Sequence, residues 1–245
     1  MHESALHSEN CFITLTYARD TLPPNGSLEH KDFQKFIRSV RKKTKRNIRY
    51  YVCGEYGPEN QRPHYHACIF GLDFHDRIHA GTSASGEKYY ESETLSALWK
   101  HGRCSVQDLN TQTAGYCSRY IMTKALGETA KTAYQKISDT GELIQLAPEY
   151  AKMSLKPGLG QWWYQKYQAD IHKKDKAIDA TGKVHAPPRY YDKLLKRRNA
   201  ERLEELQEAR ATKAKQQTED QTPERLAVRE IVHEAKLKTL KRNMT

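Results

Sequence analysis

The sequence predicts an α+β fold, a central antiparallel sheet flanked by helices and followed by a charged helical extension. Three observations predict it. Short runs of β-branched and aromatic residues bounded by Pro or Gly recur between residues 11 and 109. They are interspersed with segments whose apolar residues follow the helical period. Beyond residue 200 the chain is rich in Glu, Lys, Arg, Ala and Gln with widely spaced leucines, the composition of exposed helices.

The first strand spans residues 11–17 and ends before the turn signal Leu22-Pro23-Pro24-Asn25-Gly26. With Ser27 as a cap, a helix runs from Glu29 to about Lys45, its apolar stripe formed by Phe33, Phe36, Ile37 and Val40. Between residues 31 and 49 nine Lys and Arg stand against Asp32 alone. Such a face is either solvated helix back or a phosphate-binding surface, with Arg41, Lys42 and Lys45 as the DNA contacts. Strands at about 48–55 and 64–71 read as a hairpin. Residues 72–91 read as irregular, with Gly81–Gly86 as a loop. A short helix after Ser92, a strand over 103–109 and a helix over 113–126 follow. The pattern from 127 to 155 is weak, and the aromatic segment 158–167 reads as a helix packed in a core. Residues 173–199 carry nine basic side chains against three Asp, whereas 200–245 nearly balance. The expected organisation is therefore a domain of residues 1–172, a basic extension of 173–199 and a charged helical tail of 200–245.

With 41 Lys and Arg against 30 Asp and Glu, the net charge of +11 favours polyanionic partners, nucleic acid before anionic membrane. No apolar run approaches the ~18 residues of a membrane span, and the amino terminus lacks the basic-then-apolar layout of a secretion signal. Five cysteines without a Cys-x-x-Cys pair read as reduced core residues of a cytoplasmic protein, not as a disulfide frame or a zinc cluster.

Two stretches carry chemistry. In Pro63-His64-Tyr65-His66-Ala67-Cys68-Ile69-Phe70-Gly71 the strand period sends His64 and His66 to one face and Tyr65 to the other. If the preceding strand pairs with it, the Glu55 carboxylate joins them, giving two nitrogen ligands and one oxygen ligand for a divalent cation. An isolated His-x-His is also compatible with a half-buried hydrogen-bonded pair. Downstream, helical spacing puts Tyr116, Tyr120 and Lys124 in one row, about 5–6 Å between successive Cβ atoms. Two phenols and an ammonium suit phosphate chemistry, and an amphipathic helix with packed tyrosines is the plain alternative.

These stretches, preceded by Phe12-Ile13-Thr14-Leu15-Thr16-Tyr17, occur in the order seen in the HUH superfamily of rolling-circle replication initiators. The chain resembles that family over most of its length, and the gokushovirus-like initiators of small single-stranded DNA phages above all. The resemblance implies a ferredoxin-like central sheet with the histidines on a middle strand. It implies a site-specific single-strand endonuclease with strand-transfer activity, acting on viral origin DNA in the host cytoplasm. Tyr116 and Tyr120 match the paired nucleophiles, Lys124 a trailing basic residue, and Glu55, His64 and His66 the ligands of Mg²⁺ or Mn²⁺. Arg119 stands where such phage relatives carry Lys; it keeps a DNA-binding charge but is a poor proton carrier. No Gly-x-x-x-x-Gly-Lys-Ser/Thr motif is present, so unwinding would fall to a host helicase alongside a host polymerase. The rival readings are a plasmid- or transposon-type nickase and a non-catalytic basic nucleic-acid-binding protein.

Overall fold

The structure is a computed structural model that describes residues 1–57, 61–83, 86–122, 128–137, 140–179, 181–216 and 218–239, with backbone alone at 120–122. The chain divides into two compact units, Glu3–Leu159 and the segment from Gly160 onward together with His2. In the first unit the elements are β1 (Asn10–Thr16), α1 (His30–Thr44), β2 (Arg49–Tyr56), β3 (Pro63–Phe70), β4 (Ile78–Thr82), β5 (Lys88–Glu91), α2 (Glu93–Leu98), β6 (Cys104–Asp108), α3 (Thr111–Met122), α4 (Glu128–Ala133), β7 (Gln135–Ile137), β8 (Leu143–Gln145) and β9 (Tyr150–Met153). Seven strands form an antiparallel sheet in the order β4-β5-β6-β1-β3-β2-β9, and β7 pairs with β8 separately.

All eight residues of β3 are buried, because it lies between β1 and β2 with both faces covered. Tyr65, Ala67 and Ile69 face a core shared with Ile13 and Leu15 of β1 and with Phe33, Phe36, Ile37 and Val40 of α1. That is the apolar stripe the helical period picks out. Cys68 and Phe70 face the opposite way, onto a second core with Phe12, Cys53, Tyr116 and Cys117. The sheet thus carries α1 on one face and α3 on the other. Glu29 caps α1 by accepting from the Lys31 amide, and Lys45 ends it in the left-handed conformation.

Several expectations change. Residues 72–91 hold β4 and β5, which are polar edge strands whose alternation is broken by a register shift between His79 and Gly81. The segment of weak pattern holds α4, the short β7–β8 pair and β9, whose residues are too exposed to leave a periodic apolar trace. Arg49 does not belong to the basic face of α1: it is buried, with Nε 2.8 Å from Glu3 Oε1 and Nη2 donating to the Pro157 carbonyl. Of the helix predicted over 113–126, the described part begins at Thr111, and residues 123–126 lie outside the described residues.

The second unit contains α5 (Gln161–Lys174), β10 (Ala177–Ile178), β11 (Val184–His185), α6 (Arg189–Arg198), α7 (Ala200–Lys215) and α8 (Pro223–Thr239). Arg210 of α7 joins three of its segments. Its Nε and Nη2 donate to the two Asp175 oxygens at 2.7 and 2.6 Å, and its Nη1 and Nη2 to those of Asp192 at 2.8 and 3.1 Å. The bonds from Arg210 hold the Asp175 carboxyl below its usual range. The Arg210 and Asp175 side chains are 32% and 28% exposed. Water screens the pair to that extent, so a loss of ~1 kcal/mol is expected for Arg210→Ala. Hydrogen exchange should speed up about fivefold across α5–α7 and stay unchanged in β1–β3. Because the Asp175 pKa is depressed, the stabilisation is complete above the unfolded value near 4 and fades as pH falls below it. Wild type and variant should therefore converge in strong acid. A uniform rise in exchange over both units would refute the clamp.

Candidate active site

Antiparallel register places the candidate ligands. Across β1, β3 and β2 the residues Thr14, His66 and Cys53 stand opposite one another, and the next row of the same face holds Thr16, His64 and Glu55. Glu55 and His64 are therefore direct cross-strand neighbours, and the predicted hairpin is what brings them together. His64 Nε2 lies 2.6 Å from Glu55 Oε1, and His66 Nε2 lies 2.9 Å from the same oxygen but off the line a hydrogen bond needs. From α3 the Tyr116 hydroxyl donates to that oxygen at 2.9 Å, and its ring stands edge-on to His66 with centroids 4.8 Å apart. Glu55 is 1% exposed, His66 0%, and His64, at 7%, is the most accessible of the three.

The far nitrogen of each imidazole is also fixed. His64 Nδ1 donates to the Arg62 carbonyl at 3.0 Å, and His66 Nδ1 sits 2.9 Å from Thr14 Oγ1. With Nδ1 donating, a neutral ring directs its Nε2 lone pair at the space beside Glu55. Burial pushes the Glu55 carboxyl up, but His66 and His64 together outweigh it and hold the group well below the usual carboxylate range. Burial lowers His64 as well, and the bond and charge of Glu55 reverse that, so its pKa is raised. His66, with no exposed surface, is kept neutral by burial.

The donor set suits a divalent cation. Glu55, His64 and His66 offer ligand atoms that all lie within 4.8 Å of one another. Glu55 Oε2 and His66 Nε2 are buried with no hydrogen-bond partner among the described residues. Two buried polar atoms left unsatisfied side by side are costly, and a cation satisfies both.

Other expected site residues fall elsewhere. Arg41, Lys42 and Lys45 are exposed on α1, across the sheet from the histidines; Arg41 donates twice to the Ile48 carbonyl, at 2.6 and 3.2 Å, and so fastens the helix end to the chain. Arg119 lies on α3 with its guanidinium folded over Gly115, where a Cβ would come within 2.8 Å of Nη1. Tyr120 follows it on α3, and Lys124 lies outside the described residues. Sequence reasoning missed Thr14 and Arg62, which hold the imidazoles. It also missed Glu149, a buried carboxylate whose charge raises His64 and which accepts from the Tyr56 amide at 2.7 Å and the Tyr134 hydroxyl at 3.1 Å. The strand period pointed at Thr14 once β1 was placed beside β3; nothing pointed at Glu149.

Titration with Mn²⁺ followed by electron paramagnetic resonance should give one site, lost in His66→Ala. Thr14→Val, which frees the His66 ring, should weaken it about tenfold or more. Because His64 is protonated to a higher pH than usual and its proton competes with the cation, affinity should fall as pH drops through and below neutrality. Affinity independent of pH between 6 and 8 would count against His64 as a ligand.

Comparison with known proteins agrees with this arrangement. The family described as replication-associated protein ORF2 matches residues 10–125, from β1 through α3. The replication-associated protein VP4 of Bdellovibrio phage phiMH2K is 30% identical over 90% of this chain and 69% of its own length. The replication-associated protein ORF2 of Spiroplasma virus 4 is 33% identical over 77% of this chain, and ORF4 of Chlamydia phage 1 is 25% identical over 80%. The chain spans 58% and 48% of the length of those two relatives. No solved structure matches it significantly. With its metal-ligand and tyrosine motifs inside the matched region, this chain belongs to the phage replication-associated protein family.

Proposed function

We propose that this chain initiates phage DNA replication by nicking single-stranded origin DNA through tyrosine transesterification. The observation that carries the reading is the Tyr116 hydroxyl, 2.9 Å from Glu55 Oε1 in the cluster that also holds both histidines. In this reading Glu55, His64 and His66 hold Mg²⁺ or Mn²⁺, whose charge polarises the scissile phosphate. The Tyr116 oxygen attacks phosphorus, its bond to the phosphate forms, and the bond to the 3′ oxygen breaks. The phenol proton passes to water and the departing oxygen takes one up as a 3′-OH. One phosphodiester is exchanged for another, so the 3′-OH later reverses the step and rejoins the strand without a nucleotide cofactor.

An ordinary phenol, with a pKa of about 10, attacks poorly unless its geometry is fixed. Glu55 is ionised and accepts from the hydroxyl, so it orients the nucleophile and is too weak a base to remove the proton. Tyr120, one turn along the helix, is the second nucleophile, which holds one strand end while the first cuts the regenerated origin. Lys124 and Arg119 contribute positive charge toward the phosphate. Host helicase and polymerase in the bacterial cytoplasm supply unwinding and synthesis; no described helix is long and apolar enough to cross a membrane.

Incubation with single-stranded viral DNA and Mn²⁺ should leave a covalent protein–DNA adduct on a denaturing gel, absent in excess EDTA and in His66→Ala. Tyr116→Phe and Tyr120→Phe should each retain part of it, and the double variant none. If one substitution alone removes every adduct and the other changes nothing, a single tyrosine carries the reaction. A wild type that binds DNA but leaves no adduct would favour the non-catalytic reading.

A further inference from the structure

The face of the sheet that carries the histidines is only partly covered. Helix α3 packs over the rows of Phe12, Cys53, Cys68 and Phe70. Toward the end of β1 and the start of β3 and β6 that face opens into a cleft of about 330 Å³ lined by Thr14, Thr16, Arg62, Tyr89, Arg103 and Ser105. Thr14 is bonded to His66, and Thr16 stands opposite His64, so the cleft floor adjoins the metal ligands. A second cleft of about 360 Å³ includes Arg19, Asn25, Arg62 and Lys136. Both are lined by Arg62, two residues before His64, whose carbonyl holds that ring.

The charges along this path are unbalanced. Arg19, Arg62 and Lys136 are exposed and have no carboxylate partner among the described residues. Among the described residues Glu91 is the only acid lining either cleft, and its oxygen lies 3.9 Å from Arg103. Tyr89 supplies an aromatic surface. Its ring lies against the bare backbone of Gly81, where a Cβ would come within 2.6 Å of the hydroxyl. A glycine there lets the ring lie flat across β4. Spaced cations, an aromatic ring and a floor of small hydroxyls are what a single-stranded nucleic acid needs: charge for its phosphates, a platform for a base and room for the sugar.

We infer that the substrate strand runs along the two clefts, with phosphates on Arg19, Lys136, Arg62 and Arg103 and a base stacked on Tyr89, and that Arg62 is where it passes the histidines. This assignment rests on the nuclease reading for its substrate class. It moves the DNA contacts from the basic back of α1, on the opposite side of the sheet, to the face that holds the tyrosine.

The test is binding of the full chain to a fluorescein-labelled oligothymidylate in EDTA, by anisotropy over a salt series, so that metal and cleavage play no part. Arg62→Ala with Arg103→Ala should weaken binding at least tenfold and reduce the salt slope by about 1.4, some 0.7 for each phosphate contact. Tyr89→Ala should weaken it about tenfold without changing the slope. Arg38→Ala with Lys42→Ala and Lys43→Ala, on α1, should change neither, and circular dichroism checks that each variant is folded. The inference is overturned if the α1 variant lowers the slope, or if folded cleft variants bind as the wild type does. Failure of the wild type to bind the oligonucleotide at all would instead overturn the nuclease reading.

Discussion

Glu55 is a carboxylate with 1% of its surface exposed, set on an interior strand of the sheet and kept ionised by its neighbours. Taking such a group out of water costs several kcal/mol, which only close and well-aimed partners offset. The imidazoles of His64 and His66 and the Tyr116 hydroxyl all converge on its Oε1. The partners are in turn held by Arg62, Thr14 and the packing of α3, so the site is a buried polar network and not a surface cluster. The same burial makes Oε2 and His66 Nε2 costly as they stand, which gives a cation a large differential affinity for the folded chain.

Much of this was legible in the sequence because strand period and register are local rules. Pro63 and Gly71 mark out the strand, alternation puts both histidines on one side, and a hairpin with β2 then delivers Glu55 to them. Helical spacing put Tyr116 on α3, but its contact with Glu55 depends on where α3 packs, and that is a tertiary fact. The basic face of α1 shows the limit of periodicity more sharply. An amphipathic pattern says which side of a helix faces the core; it does not say which side of the sheet the helix covers. Arg41, Lys42 and Lys45 are exposed as expected, yet the sheet separates them from the histidines. Arg49, counted with them by sequence distance, turns inward to Glu3. The edge strands β4, β5 and β9 left no signal because edges carry polar residues on both sides.

Strand β3 is held from both faces. On the α1 side the Tyr65 hydroxyl lies 3.0 Å from that of Tyr17, which donates to Asp32, and it also donates to the Glu29 carbonyl at 2.9 Å. On the α3 side the thiols of Cys53 and Cys117 each contact the His66 carbonyl at 3.6 Å. Tyr65 and the two histidines thus have incompatible surroundings, one built for a phenol and the other for imidazoles. The cysteines, all free and buried, serve as small polarisable packing between the helix and the strand.

This two-sided anchoring determines which changes of chain length the family can absorb. Adding or deleting one residue inside β1, β2 or β3 reverses the facing of everything beyond it, exchanging tyrosine for histidine on both sides of the sheet at once. Between strands the rule relaxes: the segment joining β2 to β3 and the stretch from Gly71 to Gly102 lie outside the three paired strands and can lengthen at little entropic expense. Divergence among these replication proteins should therefore collect as insertions in those connections, while the spacing from Glu55 to the end of β2 and from Pro63 to Phe70 stays fixed.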